Sequence, residues 1–330
     1  MIIKKLQSKT YHIYDNIKDI ILQRNFPMLN PYLRKKEIKK GNIGVVFMLH
    51  RVSEYEKGRL ISNEDLKISP SFLQKIIRKY KKAGFDFLSL NDIYDIINQK
   101  RELSRPFVSF TLDDGYLDNY TNAYPIFKKN NVPFCIFTTT DFIDKKAILW
   151  WYSIENLILQ EDSIQLSDGS KYSCKTYQEE WDTFRYLREK ILKLSQKKLV
   201  ENLEQMFSNY EIDWLYPIQS LSMSWNQVEE LSKEPLCIIG GHTMTHPVFN
   251  RLSINDIHDE IYGGINKIET VIHKNIEHFA YPYGSANEVG QREFDYLRTL
   301  DFKSVYISHG GLINLNNADF MCMPRYMLKK

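Results

Sequence analysis

The stretch Phe107-Val108-Ser109-Phe110-Thr111-Leu112-Asp113-Asp114-Gly115 decides the reading of this chain. Phe107 to Leu112 read as an apolar strand, and they run straight into two adjacent carboxylates. Carboxylates left unpaired at the end of a buried strand are costly, so Asp113 and Asp114 need partners. On a regular strand their side chains point to opposite faces. A turn at Gly115 breaks that alternation and lets both converge on one site. The C-terminal ends of strands are also where parallel α/β folds place their active sites. An acidic turn with Asp capping the next helix accounts for the same letters, so the motif needs support from elsewhere.

The flanking sequence supplies a βα rhythm. Val45 to Leu49 form an apolar run ending at His50. Ser69 is a candidate N-cap, Pro70 fits the first helical position, and Phe72, Leu73, Ile76, Ile77 and Tyr80 share one helical face. Gly84 closes that helix. A strand over 85–90, a helix from Asn91 to about Asn98, a helix over 119–130 and a strand over 133–139 follow. Strands alternating with helices argue for parallel βα units, in an α/β sheet or barrel.

Residues 144–222 break the rhythm. They hold Trp150-Trp151, a polar stretch over 163–173 and a long helical pattern near 184–207. This reads as a mainly helical insertion that covers one side of the site. The rhythm then returns with a strand over 236–239. Ser253 caps a helix with the stripe Ile254, Ile257, Ile261, Ile265 and Ile268. A strand over 278–281, a helix over 293–300 and a strand over 304–307 complete it.

Two further constellations stand at predicted strand ends. In Gly240-Gly241-His242-Thr243-Met244-Thr245-His246-Pro247, two histidines four apart can present their rings to one divalent metal. Two His plus one carboxylate make a facial triad with open positions, and a second carboxylate beside it is placed to act as general base. In Phe279-Ala280-Tyr281-Pro282-Tyr283-Gly284, a strand turns over at Pro-Tyr-Gly. Such a turn can aim a backbone N–H at a developing oxyanion. An ordinary aromatic turn reads the same way.

Composition bounds the class. The chain has 330 residues, 43% of them apolar and 26% charged, which excludes collagen-like, mucin-like and wholly disordered readings. The net charge of +3 hides an asymmetry: residues 1–40 carry ten Lys/Arg against three Asp/Glu, so the remainder is net acidic. A nucleic-acid binder spreads basic charge over its main domain, and this chain does not. The basic arm suits an anionic membrane surface, or is a solvated helical extension broken near Pro27 and Pro31. Cys135, Cys174, Cys237 and Cys322 are far apart with no CxxC, which reads as free thiols in a reducing compartment. No apolar run follows Met1-Ile2-Ile3-Lys4-Lys5, and no stretch of ~18 apolar residues occurs. The expectation is a cytoplasmic protein, with peripheral contact at the inner membrane face through the arm.

These motifs resemble those of the polysaccharide deacetylases, the NodB-like carbohydrate esterase family 4 group. Thr111-Leu112-Asp113-Asp114-Gly115 resembles its T-F-D-D-G motif. His242 to His246 resembles H-[ST]-x-x-H, and Tyr281-Pro282-Tyr283-Gly284 resembles part of R-x-P-Y-G. The resemblance covers residues 42–330 apart from the insertion, and the Phe-Ala-Tyr-Pro-Tyr-Gly wording is similar to the poly-N-acetylglucosamine deacetylase branch. It implies a distorted (β/α)7 barrel over 41–330, with the 1–40 extension outside it. It also implies a divalent metal, commonly zinc, and removal of N-acetyl groups from an amino sugar. The substrate it implies is a bacterial surface polysaccharide or its lipid-linked or nucleotide-sugar precursor. By the resemblance, Asp113 is the base, Asp114, His242 and His246 hold the metal, and the Tyr283 amide serves the oxyanion hole.

Two positions depart from the family pattern. The motif arginine that pairs with the base is Ala280 here, and Arg325 is the candidate substitute. The general acid is expected at His50, at the end of an apolar strand, with His309 as the alternative. Trp150 and Trp151 offer flat aromatic area for sugar stacking, or form core of the insertion. The competing functions are a glycan-binding module without catalysis, which would lack Asp113 or a metal ligand, and a metal hydrolase of another amide or ester.

Overall fold

The computed structural model describes residues 26–101 and 103–329. Nine strands form one curled sheet: β1 Asn42–Leu49, β2 Asp86–Phe87, β3 Phe107–Asp114, β4 Phe134–Thr138, β5 Cys237–Gly241, β6 His278–Ala280, β7 Ser304–Tyr306, β8 Ile313–Asn314 and β9 Tyr326–Met327. Their order is β7-β6-β5-β4-β3-β1-β8, with β2 beside β3 and β9 beside β1. Every pairing is parallel except that of β1 with β8. The parallel series β1 to β7 is the distorted α/β barrel that the motifs imply.

The C-terminal segment joins the two ends of this sheet. Met323 bridges Tyr306 of β7, and three residues later Tyr326 pairs with Phe47 of β1. Arg325 lies between these two pairings and is fully buried. Register then aligns the strand ends: Asp114 pairs with Thr138, and Thr138 with Gly241. Hence His50, Asp113, Asp114, His242 and Tyr281 all leave the sheet at one rim.

Helices cover the sheet: α1 Pro31–Lys39, α2 Pro70–Lys82, α3 Leu90–Asn98, α4 Tyr124–Asn130, α5 Trp150–Gln160, α6 Tyr177–Ile191, α7 Leu199–Met206, α8 Trp225–Ser232, α9 Ile254–Ile272 and α10 Gln291–Leu297. α2 forms as its letters dictate. Ser69 accepts from the Phe72 N–H, Pro70 fills the first turn, and all five stripe residues are buried. In α9 the stripe residues Ile257, Ile261 and Ile268 are buried. The arm is described only in part: residues 1–25 lie outside the described residues, and α1 follows the cap at Asn30.

Three expectations need correction. The strand expected over 85–90 shrinks to Asp86–Phe87, because Ser89 and Asp92 form a reciprocal cap that starts α3. The single long helix expected over 184–207 is two. The Ser195 carbonyl accepts from Lys198 N–H and Asn202 Nδ2, which turns the chain between α6 and α7. The polar stretch 163–173 is a hairpin, Ser163–Gln165 against Lys171–Ser173. The insertion has its own core, with Ile154, Ile158, Phe184, Leu187, Leu203 and Phe207 at its centre.

Where α9 crosses the β5 end, Gly264 lets the chain come close. A Cβ on Gly264 would lie 2.9 Å from the Thr243 carbonyl carbon. Gly264→Ala gains up to ~1 kcal/mol of helix propensity but overpacks by ~1–3 kcal/mol. We expect a lower urea midpoint at unchanged slope. A midpoint at or above that of the parent protein would contradict this account of the crossing.

Candidate active site

The aligned strand ends floor a cavity of about 600 Å³. His50, Asp113, Asp114, His242, His246 and Tyr283 all line it. The structure therefore brings together residues as far apart in the chain as His50 and Tyr283.

Asp113 is buried and gripped by Arg325. The guanidinium donates Nη1 to Oδ1 at 2.7 Å and Nη2 to Oδ2 at 2.8 Å. Its remaining donors reach the Thr111 hydroxyl and the Ile307 carbonyl, both at 3.0 Å. Burial alone would raise the Asp113 pKa, but the Arg325 guanidinium beside it holds it below the usual carboxylate value. Arg325 thus occupies the role left open by Ala280. Ala280 has a different part, since its carbonyl lies 2.7 Å from His242 Nδ1.

That contact orients the first histidine. A carbonyl can only accept, so His242 carries its proton on Nδ1 and turns the Nε2 lone pair inward. Nε2 of His242 and Nε2 of His246 each lie 3.4 Å from Asp114 Oδ1. Oδ1 is buried and has no hydrogen-bond partner. Two ligands ~2.0–2.1 Å from one cation at a tetrahedral angle sit ~3.3–3.4 Å apart, so this set suits a zinc-sized ion. Among the described residues, Asp114, His242 and His246 are the group that could hold a metal. Burial pushes the His246 pKa down to about 4, against the pull of Asp114, so its imidazole is neutral at pH 7 as a ligand must be.

Backbone strain marks the same place. Asp114 has φ +77°, Thr243 +68°, His246 +63° and Tyr283 +59°. Such angles are uncommon for non-glycine residues, and four of the nine among the described residues fall at this rim. At β3 the left-handed Asp114 breaks the strand alternation, aided by Gly115 at φ +97°. The histidine loop is pinned from α9: one Glu260 carboxylate oxygen accepts from the Met244 and Thr245 N–H groups, and the other from the Thr245 hydroxyl at 2.7 Å. Within the loop the Thr243 hydroxyl accepts from His246 N–H at 3.0 Å.

Tyr283 sits in the Pro-Tyr-Gly turn with its ring 4.7 Å from the His246 ring. Gly284 is required there, because a Cβ would meet Ser308 N at 2.9 Å. The Tyr283 N–H has no hydrogen-bond partner among the described residues and is free to donate. His50 is half-buried in the cavity wall, and Asn119 Nδ2 holds its carbonyl at 2.8 Å. His309 is exposed, lies outside the cavity lining, and contacts the Gly284 carbonyl at 3.3 Å. Trp150 is buried in the insertion core and Trp151 stands 6.0 Å from the His246 ring; both line the cavity.

Sequence reasoning missed five residues. Asp118 ties Arg51 and the Val52 N–H beneath His50. Asn119 and Glu260 place the loops just described. Trp181 and Arg185 of α6 line the cavity mouth. None carries a local signature, because each acts only through tertiary contact.

A carboxylate held by arginine, beside an Asp/His/His group at the strand ends of an α/β barrel, is an arrangement suited to metal-assisted hydrolysis. The family model described as polysaccharide deacetylase matches residues 100–294, and the chain belongs to that family of carbohydrate hydrolases. Its members are generally metal-dependent, in keeping with the Asp114, His242 and His246 group. The chain is similar to YxkH of Bacillus subtilis, whose own deacetylase assignment is provisional, at 27% identity over 92 residues. That match spans 28% of this chain and 30% of YxkH, so the chain matches less than a third of the curated relative's length. In fold it resembles the Streptococcus pyogenes deacetylase PplD, solved with acetate, at TM-score 0.57 and 15% identity. It also resembles IcaB from Ammonifex degensii at TM-score 0.56 and 19% identity; both likenesses cover 87% of this chain and 92% of the other.

Removing the Arg325 charge strands Asp113 in a buried site. Arg325→Met should cost ~3–5 kcal/mol of stability, and Arg325→Lys should recover little of it, since ammonium cannot grip both oxygens. Denaturant melts read this directly. A stable Met variant would show that the pair is not what holds the rim together.

Proposed function

We propose that this chain is an N-deacetylase that hydrolyses the acetamide of an amino sugar in a glycan, using one divalent cation, zinc in our reading. The observation that carries the reading is the orphaned Asp114 Oδ1 facing two imidazole Nε2 atoms beside an arginine-clamped carboxylate. Asp114, His242 and His246 would hold the cation, which supplies Lewis acidity toward water and the amide carbonyl.

The chain's own groups do the rest. Asp113 takes a proton from the attacking water. Its clamp keeps the carboxylate ionised and fixes its direction. The Tyr283 N–H donates to the oxygen that gains charge in the tetrahedral stage. His50 gives a proton to the leaving amine. The substrate belongs, in this reading, to a bacterial surface polysaccharide or its lipid-linked or nucleotide-sugar precursor.

Acetate release from N-acetylglucosamine oligomers and from the nucleotide sugar tests the function. Release should stop with chelator and return with zinc. His50→Ala should lose ~10²–10⁴-fold in turnover with metal content retained, and His309→Ala far less. Chelator-insensitive release, or none from any acetylated glycan, would overturn the reading; the reverse ranking of the two histidines would overturn the acid assignment.

We further assign the basic arm to an anionic leaflet at the inner membrane face of the cytoplasm, where each Lys or Arg contributes ~1 kcal/mol. Deleting residues 1–25 should weaken sedimentation with anionic vesicles at low salt. Unchanged binding would sink this assignment.

A further inference from the structure

The cavity is longer than the catalytic cluster needs, and its mouth carries a tryptophan with no structural employment. Trp181 lies on α6 of the insertion and lines the cavity. It is half-buried, yet it does not pack against the insertion core, which takes Thr183, Phe184, Leu187 and Ile191 from the same helix. The Arg185 guanidinium sits 4.7 Å from its ring centroid and holds one face by a cation–π contact. Its neighbours one and two turns on, Arg185 and Arg188, line the same mouth. Ile61, itself 44% exposed, lines the same cavity. The Tyr177 hydroxyl accepts from the Ile61 N–H at 3.3 Å and ties the two walls.

A large apolar ring kept out of a core and set at a cavity mouth points to a ligand with a flat apolar face. A pyranose has that shape: its faces show C–H groups, while its edge hydroxyls suit the arginines. The catalytic floor takes the acetylated sugar. We propose that Trp181, with Arg185, forms a subsite for a second sugar ring of the same glycan, so that the enzyme acts on oligomers in preference to monosaccharides. This rests on the deacetylase reading above and adds the length of the substrate to it. The subsite belongs to the insertion, whose residues 177–191 carry none of the catalytic motifs.

The test is a length profile. Acetate release is measured from N-acetylglucosamine, its dimer, trimer and pentamer with the full chain and zinc. The parent protein should favour the pentamer over the monomer in kcat/KM. Trp181→Ala should reduce that ratio about fivefold, through KM for the pentamer, and Trp181→Phe should restore most of it. Trp181 lies off the core, so a thermal melt near that of the parent should accompany the loss; if the Ala variant misfolds, Arg185→Gln should lower the ratio in the same direction. A ratio unchanged within twofold in the Trp181 and Arg185 variants would overturn the subsite. So would a parent protein that favours the monomer. Release from no length would overturn the deacetylase reading and the subsite with it.

Discussion

The buried pair of Asp113 and Arg325 is the constraint on which the rest depends. Taking both charges out of water is expensive, and only good geometry with every donor satisfied offsets it. Here Nη1 and Nη2 take both carboxylate oxygens, Nη1 also reaches Thr111, and Nε takes the Ile307 carbonyl. The guanidinium also lies over the Phe137 ring at 5.4 Å. The two partners stand 212 residues apart. Arg325 comes from the short segment that links β7 to β1, so the clamp forms only once that segment docks. Sheet closure and the pairing of Asp113 are therefore one event: an incompletely closed barrel carries an uncompensated carboxylate at its rim.

Strain follows from this arrangement. Asp113 must face the clamp while Asp114 faces the two histidines, and a regular strand cannot present adjacent side chains to one cavity. The left-handed Asp114 resolves the conflict. The same solution recurs at Thr243, His246 and Tyr283, each at or beside a strand end. Such conformations cost of order 1–3 kcal/mol each, and they persist because neighbours over-determine them. Glu260 does so for the histidine loop, with three hydrogen bonds from a helix that comes close enough only because Gly264 lacks a side chain.

Much of this was legible in the letters. Strand ends at Asp113, His242 and Tyr281 were readable because apolar runs stop at polar motifs, and α2 and α9 because cap and stripe agree. The Asp/His/His group was readable because its ligands cluster in two short motifs. Arg325 was readable only as a late arginine near a strand, since nothing local ties it to Asp113. Asn119, Asp118 and Glu260 were invisible, because an ordinary polar residue on a helix or turn looks the same whether it faces solvent or a loop. The turn between α6 and α7 was hidden too, as it contains neither Gly nor Pro and closes on the Ser195 carbonyl.

Trp150 and Trp151 show how adjacency misleads. Neighbours on a helix stand about 100° apart, so the two rings, though both line the cavity, are buried to different extents. Trp150 enters the insertion core and Trp151 turns toward His246. The ring that neither core claims is Trp181, thirty residues further on. The insertion has a hydrophobic core of its own, joined at its margin by Leu60, Val248 and Tyr283. Trp181 and Arg185 lie outside that core, so changes there need not disturb the packing that holds Asp113, Asp114 and the histidines. That separation lets the reach of the site vary while the reacting groups stay where the sheet puts them.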